Sequence, residues 1–188
     1  MIKYEFNINK IKQIVNFLLK ENNGKINYTK LIKLLYLSDR LMLEKCNDVI
    51  TGDKFVNMPR GQVVSTIYDL IKGKAKREYQ ASWDSLFIKD GYDLKFLVSN
   101  NLNDDELSEA EIEILKEIDK KFKKDSCKKI IDYIHTLPEW QDPKGSSKPL
   151  SYEKVLKAVH KSKKEIEYIQ KENQSYLMEK ETLKKCYA

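Results

Sequence analysis

The sequence predicts a mainly α protein: a compact helical domain carrying one small antiparallel β-hairpin, followed by a C-terminal helical tail. Three observations predict it. Ile, Leu, Lys and Glu dominate a chain of 188 residues with four prolines and six glycines, a composition that favours helix over loop. Apolar residues recur at helical spacing through most of the chain. Alternation at the period of a strand is confined to residues 83–98, around the turn pair Asp90-Gly91. The helical domain is assigned to residues 1–160 and the tail to residues 161–188.

The first helix is predicted from about Ile8 to Glu21. Ile8, Ile11, Val15 and Leu18 share one face with Ile14 beside them, and Asn22-Asn23-Gly24 stops the pattern. Asn27 is an N-cap for a second helix reaching about Cys46, with Leu31, Leu34, Leu35, Ser38 and Leu41 as its inner stripe. The few residues between them predict a helical hairpin. A polar turn follows at Ile50-Thr51-Gly52-Asp53, then a brief extended segment at Phe55-Val56. Pro59 and Gly61 punctuate the chain before a helix over residues 63–71, with Val63, Ile67 and Leu70 inward. In the hairpin, Leu86 and Ile88 alternate with polar residues on one strand, and Tyr92, Leu94 and Phe96 on the other.

Ser108 and Glu111 have the spacing of a capping box, opening a helix that carries Ile112, Leu115, Ile118 and Phe122. Residues 126–137 form another, with Ile130, Ile131 and Ile134 apolar, and Pro138 ends it. Residues 141–150 are the most linker-like stretch. Ser151 caps a helix bearing Tyr152, Val155, Leu156 and Val159. A second capping box at Ser162 and Glu165 opens the tail, where Ile166, Ile169, Tyr176, Leu177 and Leu183 make a broken stripe. So polar a helix needs a partner surface; it reads either as a docking helix or as a frayed, solvated end.

Net charge is +6, unevenly spread. Residues 151–188 hold nine lysines against six glutamates, whereas residues 97–115 hold six acidic residues and no basic one. A nucleic-acid binder more often shows one dominant basic face. Three cysteines, without a Cys-x-x-Cys pair or a nearby histidine pair, argue against a disulfide scaffold and against a zinc site. Residues 1–10 contain no apolar run of signal-peptide type, and no apolar stretch approaches about 18 residues. The expectation is a cytoplasmic protein with reduced thiols, no membrane segment, no metal and no cofactor.

The motifs of common catalysis are missing: no phosphate-binding glycine loop, dinucleotide fingerprint, zinc-protease helix or nucleophile elbow. Asp104-Asp105-Glu106 lacks the spaced ligands of a calcium loop. His135 and His160 are the two histidines, and neither has a visible nucleophile beside it. His135 reads as a helix-end residue packed near Trp140. Tyr36, Asp39, Arg40 and Asp53 form a polar group around the turn. Adjacent helical residues point about 100° apart, so Asp39 and Arg40 cannot both face one site. The reading is that Asp39 or Asp53 pairs with Arg40 and pins the turn to the helix. The basic run at residues 72–77 is a solvated helix end.

The segment KLLYLSDR (residues 33–40), followed by ITGDKFVNMPRGQVVSTIYDL (residues 50–70), resembles the signature of the Panacea domain of SocA-like antitoxins, found in bacterial and phage toxin–antitoxin systems. Later features keep the order: the aromatic hairpin, Leu107-Ser108-Glu109 at a helix start, His135, Leu137-Pro138-Glu139-Trp140, and Leu150-Ser151-Tyr152-Glu153. The resemblance covers about residues 6–160. One departure is that the family commonly has Gly-Pro before the third helix, whereas here Gly61 is followed by Gln62.

The resemblance implies a non-enzymatic, prophage-type antitoxin that binds a toxin encoded beside it, with some members delivering the toxin to a protease. Tyr36, Arg40, Thr51, Asp53 and Arg60 are the candidate partner-binding residues, with the tail and the acidic residues 104–113 as further surfaces. Asp39, Gly61, His135 and Trp140 are expected to be structural. The runner-up is a nucleic-acid-binding or autoregulatory protein using the hairpin and the basic tail, weakened by a total of three arginines.

Overall fold

The computed structural model describes residues 1–97, 103 and 105–186. The elements run α1 (Ile8–Glu21), β1 (Lys25–Asn27), α2 (Tyr28–Cys46), β2 (Phe55–Met58), β3 (Gly61–Val64), α3 (Ser65–Ile71) and α4 (Arg77–Asp84). They continue with β4 (Phe87–Asp90), β5 (Asp93–Phe96), α5 (Glu109–Phe122), α6 (Cys127–His135), β6 (Lys148–Leu150), α7 (Tyr152–Ala158) and α8 (Lys163–Cys186).

Helix α2 is the axis of the molecule. Asn27 caps it, its side-chain oxygen accepting from the Thr29 and Lys30 amides at 3.0 and 3.3 Å. Asn47, in the left-handed region, ends it. Twelve of its nineteen residues are buried, so it is covered all round rather than along one stripe. Helices α3, α5, α6 and α7 and strands β1 and β3 pack against it.

The expected single hairpin is corrected to two three-stranded antiparallel sheets, ordered β1-β5-β4 and β3-β2-β6. The hairpin gains β1, which pairs Ile26 with Leu94. Its inward residues are Phe87 and Leu94; Ile88 is 45% exposed and Tyr92 70%, so one strand faces opposite to the expected way. In the second sheet Val63 belongs to β3, not to a helix, and α3 begins only at Ser65. Strand β3 is buried on both faces and therefore shows no alternation. Strand β6 lies inside the linker-like stretch, pairing Leu150 with Phe55 and Pro149 with Val56. Proline survives there because β6 is an edge strand. Helix α4, which buries Trp83, had no counterpart among the expected elements.

Both capping boxes form, at Ser108–Glu111 and at Ser162–Glu165. Helix α8 docks through Ile166 and Ile169 and leaves Tyr168, Tyr176, Met178 and Leu183 exposed. Residues 1–7 run beneath it as an extended strap. Asn173 bonds both backbone groups of Lys3, at 3.0 and 2.9 Å, while Glu5 pairs with Lys180 and Lys184. The Ile2 amide donates to Glu153 at 2.7 Å. Gly52 lets the strap through: its φ is +61°, and a Cβ there would collide with the Glu5 carbonyl. Val98, Asp104 and the last two residues of the tail lie outside the described residues.

Candidate partner-binding site

The polar turn is held from α2 by one carboxylate. Asp39 Oδ1 accepts from the Ile50 and Thr51 amides at 2.7 and 2.9 Å, and Oδ2 accepts from the Thr51 hydroxyl. Burial pushes its pKa up to about 7, against the pull of those donors, which favour the ionised form. Asp53 turns the other way and takes the Thr66 and Ile67 amides at 3.0 and 2.9 Å, anchoring the start of α3. Its own carbonyl accepts from the Tyr152 hydroxyl at 2.6 Å. Thus the turn is pinned, but by Asp39 through backbone donors.

Arg40 has a different partner. Its Nε donates to Glu139 Oε1 at 2.8 Å, and the Tyr36 hydroxyl donates to the same oxygen at 2.7 Å. The Glu139 carboxylate is fully buried. Burial raises the Tyr36 pKa well above its ordinary value, and the Glu139 charge adds to the rise. The helical offset between Asp39 and Arg40 therefore sends them to separate clusters. Tyr36 also meets Phe55 edge-on at 5.1 Å, and Phe55 meets Tyr152 at 4.8 Å. His135 stacks on Trp140 with ring centroids 4.2 Å apart, rather than reaching a carboxylate. Its Nε2, the Trp140 Nε1 and the Glu139 Oε2 have no hydrogen-bond partner among the described residues.

Of the candidate contact residues, Tyr36, Thr51 and Asp53 are buried, Arg40 is half-buried, and Arg60 is exposed at the β2–β3 turn. Gly61 beside it has a φ of +85°, and a Cβ there would sit 2.5 Å from Ile134 Cγ2. Below this turn lies Lys33, 2% exposed, whose ammonium donates to the Gln62 carbonyl at 2.6 Å. Gln62 is itself fully buried, with both amide atoms unpartnered among the described residues. No group of three or more His, Cys, Asp or Glu residues able to hold a metal occurs among the described residues.

The model of the family described as "Antitoxin SocA-like, Panacea domain" matches residues 31–141, more than half of the chain. The chain belongs to this family. No curated protein and no solved structure matches it. The Panacea match spans both polar clusters, from α2 through Trp140, and the elements between them. Among the described residues, no helix is long and apolar enough to cross a membrane. Sequence reasoning about site residues passed over Glu139, Lys33 and Gln62. Glu139 sits inside Leu137-Pro138-Glu139-Trp140, already part of the Panacea resemblance. Lys33 is a lysine set between Ile32 and Leu34 in a helix apolar nearly all round. Gln62 stands where the resemblance implies proline, and its carbonyl accepts from that lysine.

Proposed function

We propose that this chain is an antitoxin that neutralises a cognate toxin by direct protein–protein contact, without catalysis. Membership of the SocA-like Panacea family over residues 31–141 carries the reading. The contact face we favour is the rim around the β2–β3 turn, where Arg60 is exposed above a frame fixed by Asp39, Asp53 and the Tyr36–Arg40–Glu139 cluster. A rigid frame of buried polar bonds suits a binding surface, because little ordering entropy remains to be lost on association.

Co-expression with the open reading frame adjacent to its gene tests this. That frame should arrest growth alone and be harmless alongside this chain, with the two proteins co-purifying and the toxin's abundance unchanged. Arrest in the presence of this chain defeats the reading. Disappearance of the toxin in protease-competent cells would indicate delivery for degradation instead of inhibition by contact.

A further inference from the structure

Between the first turns of α2, the β2–β3 turn and α3 lies a cavity of about 330 Å³. Lys33, Arg60 and Lys72 line it, and no carboxylate does. Lys33 spends one donor on the Gln62 carbonyl, and Lys72 donates to the Tyr28 hydroxyl at 2.8 Å while lying 4.3 Å from that ring's centroid. None of the three cations forms an ion pair among the described residues. An ammonium buried without a counter-charge is costly to the fold. Burial accordingly pushes the Lys33 pKa down to about 7.

We propose that this cavity receives an aspartate or glutamate side chain of the toxin, its carboxylate meeting Lys33 and its stem packing on Ile32, Met58 and Val63. The proposal rests on the antitoxin reading. Charge complementarity selects the occupant: three cationic residues line one small volume, and an entering carboxylate supplies the missing counter-charge. The carbon walls of Ile32, Met58 and Val63 suit a methylene stem, which a free phosphate lacks. A nucleic-acid backbone, moreover, is a line of charges and calls for a line of cations.

The test uses the full chain, its K33M, R60A and R77A variants, and the purified product of the adjacent open reading frame. Calorimetry measures the Kd, and thermal melts establish that each variant is folded. Arg60 is exposed, so R60A keeps the fold even if K33M does not. K33M should weaken the complex by roughly thirtyfold or more, the effect of removing one partner from a buried charge pair. R60A should weaken it less, and R77A, outside the cavity, should leave it unchanged. One toxin carboxylate, replaced by its amide, should lose affinity non-additively with K33M. If the unmodified chain fails to bind, the antitoxin reading falls. If it binds and both K33M and R60A bind equally well, the cavity proposal alone is overturned. Loss of duplex-DNA retention by those variants at full toxin affinity overturns it too, in favour of a phosphate.

Discussion

Asp39 closes the Ile50–Asp53 turn from α2. Replacing it with alanine leaves two buried amides and a hydroxyl without their acceptor, so D39A should lower stability by about 3 kcal/mol in chemical denaturation. Lys33 acts in the opposite sense. Its ordinary pKa of 10.5 falls to about 7 in the folded chain, so between these values the unfolded chain holds the extra proton. Stability should therefore rise as pH increases from 7 towards 10.5, and Lys33 should add no slope below 7. K33M should be more stable near neutral pH and lack this rise, by an amount on the order of several kcal/mol. Tyr28, Arg60, Tyr68 and Lys72 face Lys33 in both proteins, so the difference between the two denaturation profiles isolates Lys33.

At the scale of elements, the β2–β3 turn depends on Gly61. G61A forces both a left-handed alanine and a clash with Ile134, and should cost about 2 kcal/mol. Pairing it with I134A should return only the steric part, and a double-mutant denaturation series separates the two. Helix α8 has two regimes. Its first turns bury Ile166 and Ile169, whereas Met178 and Leu183 are exposed. Hydrogen exchange should find amides 166–170 protected and those beyond 178 exchanging far sooner.

What could be read from the chain divides along physical lines. Helices α1, α2, α5, α6 and α7 were legible because an apolar period and a capping or stopping residue agree in each. The second sheet was legible only at Phe55-Val56, since β3 is buried on both faces and carries no period and β6 contains a proline. The site divides similarly. A carboxylate near a polar turn announces its role locally, but the Glu139 partnership joins residues 99 apart in sequence, with no local trace.

Across the whole molecule, the Arg40–Glu139 pair ties α2 to the chain just beyond α6. R40M strands a buried carboxylate and should cost about 3–5 kcal/mol, while R40M with E139M should cost clearly less. Denaturation of both single variants and the double variant measures that coupling. Buried on both sides by such long-range bonds, the frame resists partial loosening, and one cooperative transition is expected for residues 8–160.

The strap beneath α8 has a consequence in time. The backbone of Ile2 and Lys3 is satisfied by Glu153 and Asn173, partners 151 and 170 residues later in the chain. At about 5–20 residues per second, residues 2 and 3 are synthesised roughly 8 to 30 seconds before their partners. The first residues synthesised are thus among the last to be secured. Docking of the strap on α8 is therefore completed only after the last helix has been made.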